Sequence, residues 1–214
     1  MQADGGAAEV QLLGDGHEVA QVTKLDIHMQ SILTETNGIL DVLVADLDTD
    51  GVDLIIRPLK NAADANAFRV LNEEWIARYF AIEDQDRRQL DDPVAAYIDT
   101  GGEILIAEHN GLPVGCVALM PDGTGAYELS KMAISPELRG RGAGRTLLTA
   151  AIDHAQQMGA RSLFLGSSTK LANAVHLYEA AGFQHVAAET IHMPYARADV
   201  FMQLVLPRTI ALRP

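Results

Sequence analysis

The spacing of apolar residues divides the chain after residue 53 into strands and helices. Apolar runs bounded by turn residues predict strands at 52–58, 103–108, 113–120, 126–134, 161–167, 183–189 and 201–206. Apolar residues three or four positions apart predict helices over 62–80, 92–100, 145–158 and 172–181. We expect Asn61 to cap the first helix and Asn110-Gly111 to close a hairpin. Antiparallel strands followed by a strand–helix–strand unit predict a mixed α/β fold around one central sheet.

The first fifty residues follow a different pattern. Residues 1–18 are rich in Gly and Ala and predict a loose tail, whereas the apolar spacing over 22–47 fits one helix or two. The acidic segment at 46–51 resembles the start of a calcium loop, but Arg57 stands where an EF-hand needs its bidentate acid, so we interpret it as a linker. We therefore predict an acidic, partly helical extension over 1–52, with no role assigned, and a main domain over 53–214.

Charge and composition exclude several classes of protein. The formal net charge is −13, and residues 1–53 hold eleven carboxylates against one lysine, which is unfavourable for binding nucleic acid. The single cysteine, Cys116, lies in an apolar run and predicts a buried thiol in a reducing compartment. Since no apolar stretch approaches the roughly 18 residues that cross a bilayer, we expect a soluble, cytoplasmic protein without a membrane partner.

Glycine and arginine concentrate between the strand at 126–134 and the following helix, where residues 139–145 read RGRGAGR. Glycine lets a ligand approach the backbone N–H groups at a helix N-terminus, and arginine adds positive charge, so the loop predicts a phosphate or pyrophosphate site. A P-loop would end in Gly-Lys-Ser/Thr, but this loop ends in Gly144-Arg145-Thr146. A dinucleotide fingerprint is also disfavoured because the third glycine is misplaced.

Three segments carry a resemblance to a known family. The loop at 139–144 matches a Gln/Arg-x-x-Gly-x-Gly/Ala signature, LSKMAISP at 129–136 resembles the strand before it, and ANAVHLYEAAGF at 172–183 resembles a later Asn…Tyr…Gly-Phe segment. In order and interval they resemble the GCN5-related N-acetyltransferase (GNAT) family. The resemblance implies the acyl-CoA N-acyltransferase fold, with a mostly antiparallel twisted sheet flanked by helices. It also implies acetyl-CoA as co-substrate, bound without a metal between the fourth and fifth strands.

The resemblance assigns binding roles residue by residue. The strand Met132, Ala133 and Ile134 would pair with the pantetheine amides of the coenzyme, and Asn173 would contact the same arm. The pyrophosphate would sit on the backbone amides of residues 141–146. The loop residues implied in coenzyme binding, together with Tyr178, are Arg139, Gly140, Arg141, Gly142, Ala143, Gly144, Arg145 and Thr146.

Acetyl transfer to an amine needs a base, an oxyanion donor and an acid for the leaving thiolate. The resemblance implies Tyr178 as the acid and the backbone amide of Met132 as the oxyanion donor. Glu128 lies eleven residues before Arg139, which is the interval at which one branch of the family keeps its general-base glutamate. A relay of ordered waters is the alternative to Glu128, with candidate residues Glu73, Glu74 and His176.

The acceptor is expected to contact residues 72–80 and the late loop at 191–199, which holds His192, Tyr195, Arg197 and Asp199. The sequence leaves both a small-molecule amine and a protein lysine open as the acceptor. The resemblance to the family leaves a homodimer open as the oligomeric state. The predicted activity is acyl-CoA-dependent N-acetyl transfer by direct attack in a ternary complex. A non-catalytic acyl-CoA-binding sensor or regulatory module is the alternative.

Overall fold

The protein's structure, a computed structural model, describes residues 52–191 and 193–207. The described residues do not include the predicted tail, the helical segment over 22–47, the acidic segment at 46–51 or His192. The proposed boundary near residue 52 therefore stays a prediction.

Seven strands form one sheet in the order β1-β2-β3-β4-β5-β7-β6. The strands are β1 Ile55–Pro58, β2 Glu103–His109, β3 Leu112–Pro121, β4 Ala126–Ile134, β5 Ser162–Ser167, β6 Gln184–His185 and β7 Val200–Val205. Every neighbouring pair is antiparallel except β4 and β5, which are parallel. The predicted mixed α/β class with one mostly antiparallel sheet is confirmed.

Four α-helices accompany the sheet in the described part of the chain. They are α1 Ala62–Tyr79, α2 Asp84–Asp91, α3 Ala143–Gln157 and α4 Ala172–Ala180. Short helical turns lie at Val94–Ile98, Pro136–Leu138, Thr169–Leu171 and Ala188–Thr190. The Asn61 side chain accepts hydrogen bonds from the N–H groups of Ala63 and Asp64, so the predicted cap of α1 is confirmed.

The sequence pattern missed one helix and overstated the length of one strand. Helix α2 lies in a segment for which the sequence pattern predicted no element, because its buried residues include Asp86 and Gln89 instead of an apolar stripe. The strand predicted over 183–189 is only the two-residue β6, whose side chains are exposed. An apolar pattern cannot report a polar buried helix face, and it overstates the length of an edge strand.

Apolar side chains pack on both faces of the sheet. Leu147 and Leu148 of α3 belong to a core that includes Leu129 and Leu163. On the opposite face, α1 and α2 contribute to a second core that contains Cys116. Cys116 is fully buried, and burial raises its thiol pKa to about 12, which confirms the predicted buried thiol.

Candidate active site

The cleft between β4 and β5 opens because the two strands pair only at their starts. Residues 126–128 pair with residues 162–164, and the strands then diverge. A cleft of about 480 Å³ lies beyond this point. It is lined by residues from β4, the end of β5, the start of α4, the end of α1 and the segment 193–198. A gap between unpaired strand edges can accept an extended ligand with amide groups.

A bulge in β4 decides which side chains face the cleft. Cys116 pairs with Ala133 and Ala118 with Ser130, so β4 has one more residue than β3 across this interval. Lys131 has a φ of 52°, and its ammonium reaches α2, whereas Met132 points to α4. Simple alternation would place Lys131 on the same face as Leu129, in the core beneath α3. The bulge moves it to the other face.

The N-terminus of α3 has the properties of an anion site. Gly142 is its N-cap, with a φ of +81° and with no side chain capping the helix. Thr146 N–H bonds to the carbonyl of Gly142, so the N–H groups of the residues between them, at the first turn, have no partner within the helix. A Cβ atom on Gly142 would meet no heavy atom within 4 Å, which leaves room for a ligand. These features fit a bound pyrophosphate.

The arginine side chains and backbone amides of the loop do not all face a ligand, as the resemblance implied that they would. The Nε atom of Arg139 donates to the carbonyl of Ile134 at 2.9 Å, and its guanidinium pairs with Glu74. Arg139 is thus held against the wall of the cleft, while Arg141 and Arg145 are exposed. The amide of Arg141 bonds to the carbonyl of Leu138 at 3.4 Å. The free amides are therefore those of residues 142–145 and not the whole run 141–146.

Most of the predicted binding residues line the cleft, including Gly140 and Gly144. A Cβ atom on Gly144 would lie 3.4 Å from Leu177, at ordinary contact distance, so the first turn of α3 lies beside α4. The predicted residues that line the cleft are Glu128, Met132, Ala133, Ile134, Arg139, Gly140, Gly144, Asn173 and Tyr178. Arg141, Gly142, Ala143, Arg145 and Thr146 lie at the loop and first turn outside that lining.

Tyr178 reaches the cleft from α4. It is 9% exposed, its hydroxyl lies 4.0 Å from the sulfur of Met132, and its ring packs on Phe183. Burial raises the phenol pKa to about 12. The hydroxyl therefore stays protonated near neutral pH and is available as a donor.

Glu128 reaches the cleft from β4, at the point where β4 and β5 separate. It is 8% exposed, and burial raises the pKa of its carboxyl, while the nearby Lys131 ammonium acts in the opposite direction. A carboxylate with a raised pKa is a stronger base than an exposed one.

The alternative candidates for a water relay lie elsewhere. Glu73 pairs with Arg69, Glu74 pairs with Arg139, and the His176 side chain is 84% exposed. None of the three candidates lines the cleft. Among the acidic residues of the described chain, the cleft is lined by Glu128 alone.

Sequence reasoning missed a buried ionic cluster beside Glu128. The Lys131 ammonium lies 2.8 Å from Asp86 and 2.8 Å from the Tyr195 hydroxyl. The Arg197 guanidinium donates to both oxygens of Asp86, at 2.6 and 2.8 Å, and to Glu83 at 3.0 Å. A lysine in the middle of a largely apolar strand was the available signal for Lys131. Asp86 gave none.

The late loop joins this cluster to the cleft. Tyr195 and Arg197, which were expected near the acceptor, both line it, together with Met193. Asp199 instead accepts from the backbone and hydroxyl of Thr169, and so anchors the end of the loop. The cluster thus ties α2, β4 and the late loop together at one end of the cleft.

The described residues offer neither a metal-binding cluster nor a membrane-spanning helix. Within them, no group of three or more His, Cys, Asp and Glu side chains could hold a metal ion. None of the helices there combines the length and the apolar character needed to span a bilayer.

Sequence comparison identifies relatives of this chain. Residues 67–183, more than half of the chain, match the model of the acetyltransferase (GNAT) family. An uncharacterised N-acetyltransferase of Schizosaccharomyces pombe is 28% identical over 137 residues, which are 62% of this chain and 83% of the relative. YjgM of Escherichia coli, also an uncharacterised N-acetyltransferase, is 31% identical over 100 residues, 45% of this chain and 60% of the relative.

Solved structures share the fold. A GNAT-family acetyltransferase of Staphylococcus aureus Mu50 superposes with a TM-score of 0.67 at 19% identity, over 72% of this chain and all of that one. The yncA protein of Salmonella typhimurium, solved with its cofactor acetyl-CoA, gives a TM-score of 0.58 at 26% identity, over 74% and 96% of the two chains. The predicted acyl-CoA N-acyltransferase fold is confirmed, and the chain belongs to the acetyltransferase (GNAT) family.

Proposed function

We propose that this protein transfers an acetyl group from acetyl-CoA to a primary amine by direct attack in a ternary complex. The observation that carries the proposal is that buried Glu128 and buried Tyr178 line the same cleft. The first supplies a base and the second a proton donor, which are the two groups that aminolysis of a thioester requires.

The coenzyme end of the cleft suits acetyl-CoA. The uncapped first turn of α3 offers backbone N–H groups to the pyrophosphate, at the positive end of the helix dipole. The diverging edge of β4 over 132–134 offers amide groups to the pantetheine arm, and Asn173 lines the same passage. The relative solved with acetyl-CoA, yncA, supports this choice of co-substrate.

The proposed reaction replaces the thioester C–S bond with a C–N bond and releases one proton overall. Glu128 removes a proton from the ammonium, and the freed nitrogen lone pair forms a C–N bond to the thioester carbonyl carbon. The Met132 amide donates a hydrogen bond to the oxygen, which becomes negative as the nitrogen attacks. The C–S bond then breaks, and Tyr178 donates its proton to the departing sulfur. The positively charged nitrogen loses its second proton, which restores the Tyr178 hydroxyl, and the proton held by Glu128 is released to solvent. Acetyl-CoA supplies the acyl group and the thiolate leaving group.

The environments of the two side chains suit these roles. Burial raises the pKa of Glu128, so its carboxylate binds a proton more strongly than an exposed one. Burial also keeps Tyr178 protonated, with a pKa of about 12. Tyr178 therefore acts as a donor and not as a second anion beside the sulfur.

The test is thiol release from acetyl-CoA with a panel of amino acids, monoamines, polyamines and a lysine-containing peptide. We expect release with at least one amine, and a fall of about 100-fold or more in kcat for Glu128→Gln, the range for loss of a general base. The matched control is Glu73→Gln, which alters a carboxylate outside the cleft. Acetyl-CoA affinity, measured by calorimetry, should be similar in all three proteins. Binding of acetyl-CoA without thiol release from any amine would overturn the proposal and indicate a binding module.

A further inference from the structure

The charge of the cleft is opposite to the charge of the chain. The protein carries a formal net charge of −13, yet among the residues that the structure describes one acidic side chain, Glu128, lines the cleft. Four basic side chains line it: Lys131, Arg139, Lys170 and Arg197. The ligands of this cleft are therefore met by more positive than negative groups.

Three of the four basic groups already have carboxylate partners. Arg139 pairs with Glu74, and both Lys131 and Arg197 pair with Asp86, which is fully buried. Arg197 pairs with Glu83 as well. These pairs are internal to the protein, so they leave little charge for a ligand.

Lys170 is different. It is exposed at the rim of the cleft and forms no ion pair with any carboxylate in the described part of the chain. Its ammonium lies 5.4 Å from the centroid of the Phe80 ring, and the Arg197 guanidinium lies 5.9 Å from the same ring. This shared neighbour places Lys170 beside the part of the cleft wall that is formed by the end of α1 and the late loop.

The wall at this end is aromatic and apolar. Trp75, Tyr79 and Phe80 line it from the end of α1, and Met193 lines it from the late loop. Trp75 and Phe80 contact each other edge to face. An acceptor with an apolar body would bury its surface against this wall.

From this arrangement we infer that the acceptor is an amino carboxylate with an apolar or aromatic side chain. Its ammonium faces Glu128, its carboxylate pairs with Lys170, and its side chain packs against Trp75 and Phe80. The inference rests on the proposed function, because it assigns Glu128 to the reacting amine. A polyamine is a poor fit, since its further ammonium groups find no second acidic side chain among the described residues that line the cleft.

The experiment compares acceptors that differ in one group. Phenylalanine is compared with phenethylamine, which lacks the carboxylate, and spermidine serves as the polycation, at saturating acetyl-CoA. We expect kcat/KM for phenylalanine to exceed that for phenethylamine by about tenfold or more, as a charge-assisted hydrogen bond provides. Higher turnover of phenethylamine or spermidine would overturn the inferred class and leave acetyl transfer standing. If none of the amines supported thiol release, the proposed function itself would be overturned.

Charge reversal then tests Lys170 directly. In Lys170→Glu, we expect the ratio of kcat/KM for phenylalanine to that for phenethylamine to fall about tenfold or more. In the control Lys60→Glu, which alters an exposed lysine outside the cleft, the ratio should stay unchanged. Calorimetric titration with acetyl-CoA accompanies both variants. An unchanged ratio in Lys170→Glu, or a matching loss of acetyl-CoA affinity, would show that Lys170 does not hold the acceptor carboxylate.

Discussion

The ammonium of Lys131 lies 2.8 Å from the carboxylate of Asp86, and the two side chains are 2% and 0% exposed. This buried pair joins β4 to α2, and Arg197 adds a third charge from the late loop. A buried ion pair is costly to assemble, but removing one member leaves the other charged and unpaired. The pair therefore fixes how three elements meet beside Glu128.

Replacing Asp86 should destabilise the fold. Asp86→Asn leaves Lys131 without its carboxylate, and we expect a loss of about 3 kcal/mol in the free energy of unfolding, as for other broken buried pairs. Urea unfolding near neutral pH measures it. Asp84→Asn, on the exposed side of α2, is the control and should cost less than about 0.5 kcal/mol. Equal stability of the two variants would contradict the role given to Asp86.

The stabilising effect of Asp86 should depend on pH in a defined direction. Burial by itself raises the pKa of Asp86, but hydrogen bonds from Arg197 and Lys131 outweigh it, so the pKa is lowered in the folded protein. A carboxyl group whose pKa is lowered by folding stabilises the protein fully above the pKa that it has in the unfolded chain, about 4. This stabilisation is lost as the pH falls through the pKa of the folded protein. The difference in the free energy of unfolding between wild type and Asp86→Asn should therefore become smaller in acid, as measured by urea unfolding at a series of pH values.

Replacing Lys131 should move the pH profile of the reaction. Burial raises the pKa of Glu128 and the Lys131 ammonium lowers it, so Lys131→Met should raise that pKa further. Since the base must be deprotonated, the acidic limb of kcat/KM should shift to higher pH, by on the order of one unit. The control Lys60→Met removes an exposed lysine and should leave the limb in place. An unmoved limb in a folded Lys131→Met protein would argue against this electrostatic coupling.

A charged substitution at Gly142 tests the proposed pyrophosphate site at the N-terminus of α3. Gly142→Asp places a carboxylate beside the proposed pyrophosphate, and we expect acetyl-CoA affinity to fall about tenfold or more, measured by calorimetry. Gly159→Asp is a matched control because Gly159 follows the C-terminus of α3, has a φ of +85° and has equal open space around it. It carries the same backbone strain without approaching the coenzyme. Equal affinities in the two variants would remove residue 142 from the site.

The phenol of Tyr178 is expected to act on the leaving group. Tyr178→Phe keeps the ring packing on Phe183 and removes only the hydroxyl, so we expect kcat to fall about 100-fold while acetyl-CoA affinity stays near normal. Tyr127→Phe, on β4 outside the cleft, is the control. If chemistry is shown to limit turnover and Tyr178→Phe keeps its rate, another group donates the proton.

The elements that sequence predicted well depend on neighbours along the chain. Strand β4 was predicted with its observed bounds, and the Asn61 cap bonds to residues two and three positions away. The hairpin at Asn110 and Gly111 has the positive φ angles, 52° and 77°, that the Asn-Gly pair favours. Such features rest on local hydrogen bonds and backbone preference, which a short stretch of sequence determines.

The same distinction between local and distant contacts applies to the candidate site. The glycine loop and the first turn of α3 could be predicted because one continuous segment forms them. The ionic cluster beside Glu128 could not be predicted, since a one-residue bulge moved Lys131 to the other face of β4, and an alternating pattern does not reveal a bulge.

The sequence by itself thus determined the family resemblance, the candidate anion site at the start of α3 and the positions of Glu128 and Tyr178 on their elements. Only the tertiary structure decided which charges meet beside Glu128. Lys131 finds Asp86 across 45 residues of chain, and Arg197 finds it across 111. Contacts of this range form only when burial of apolar surface brings distant elements together, so no local pattern predicts them.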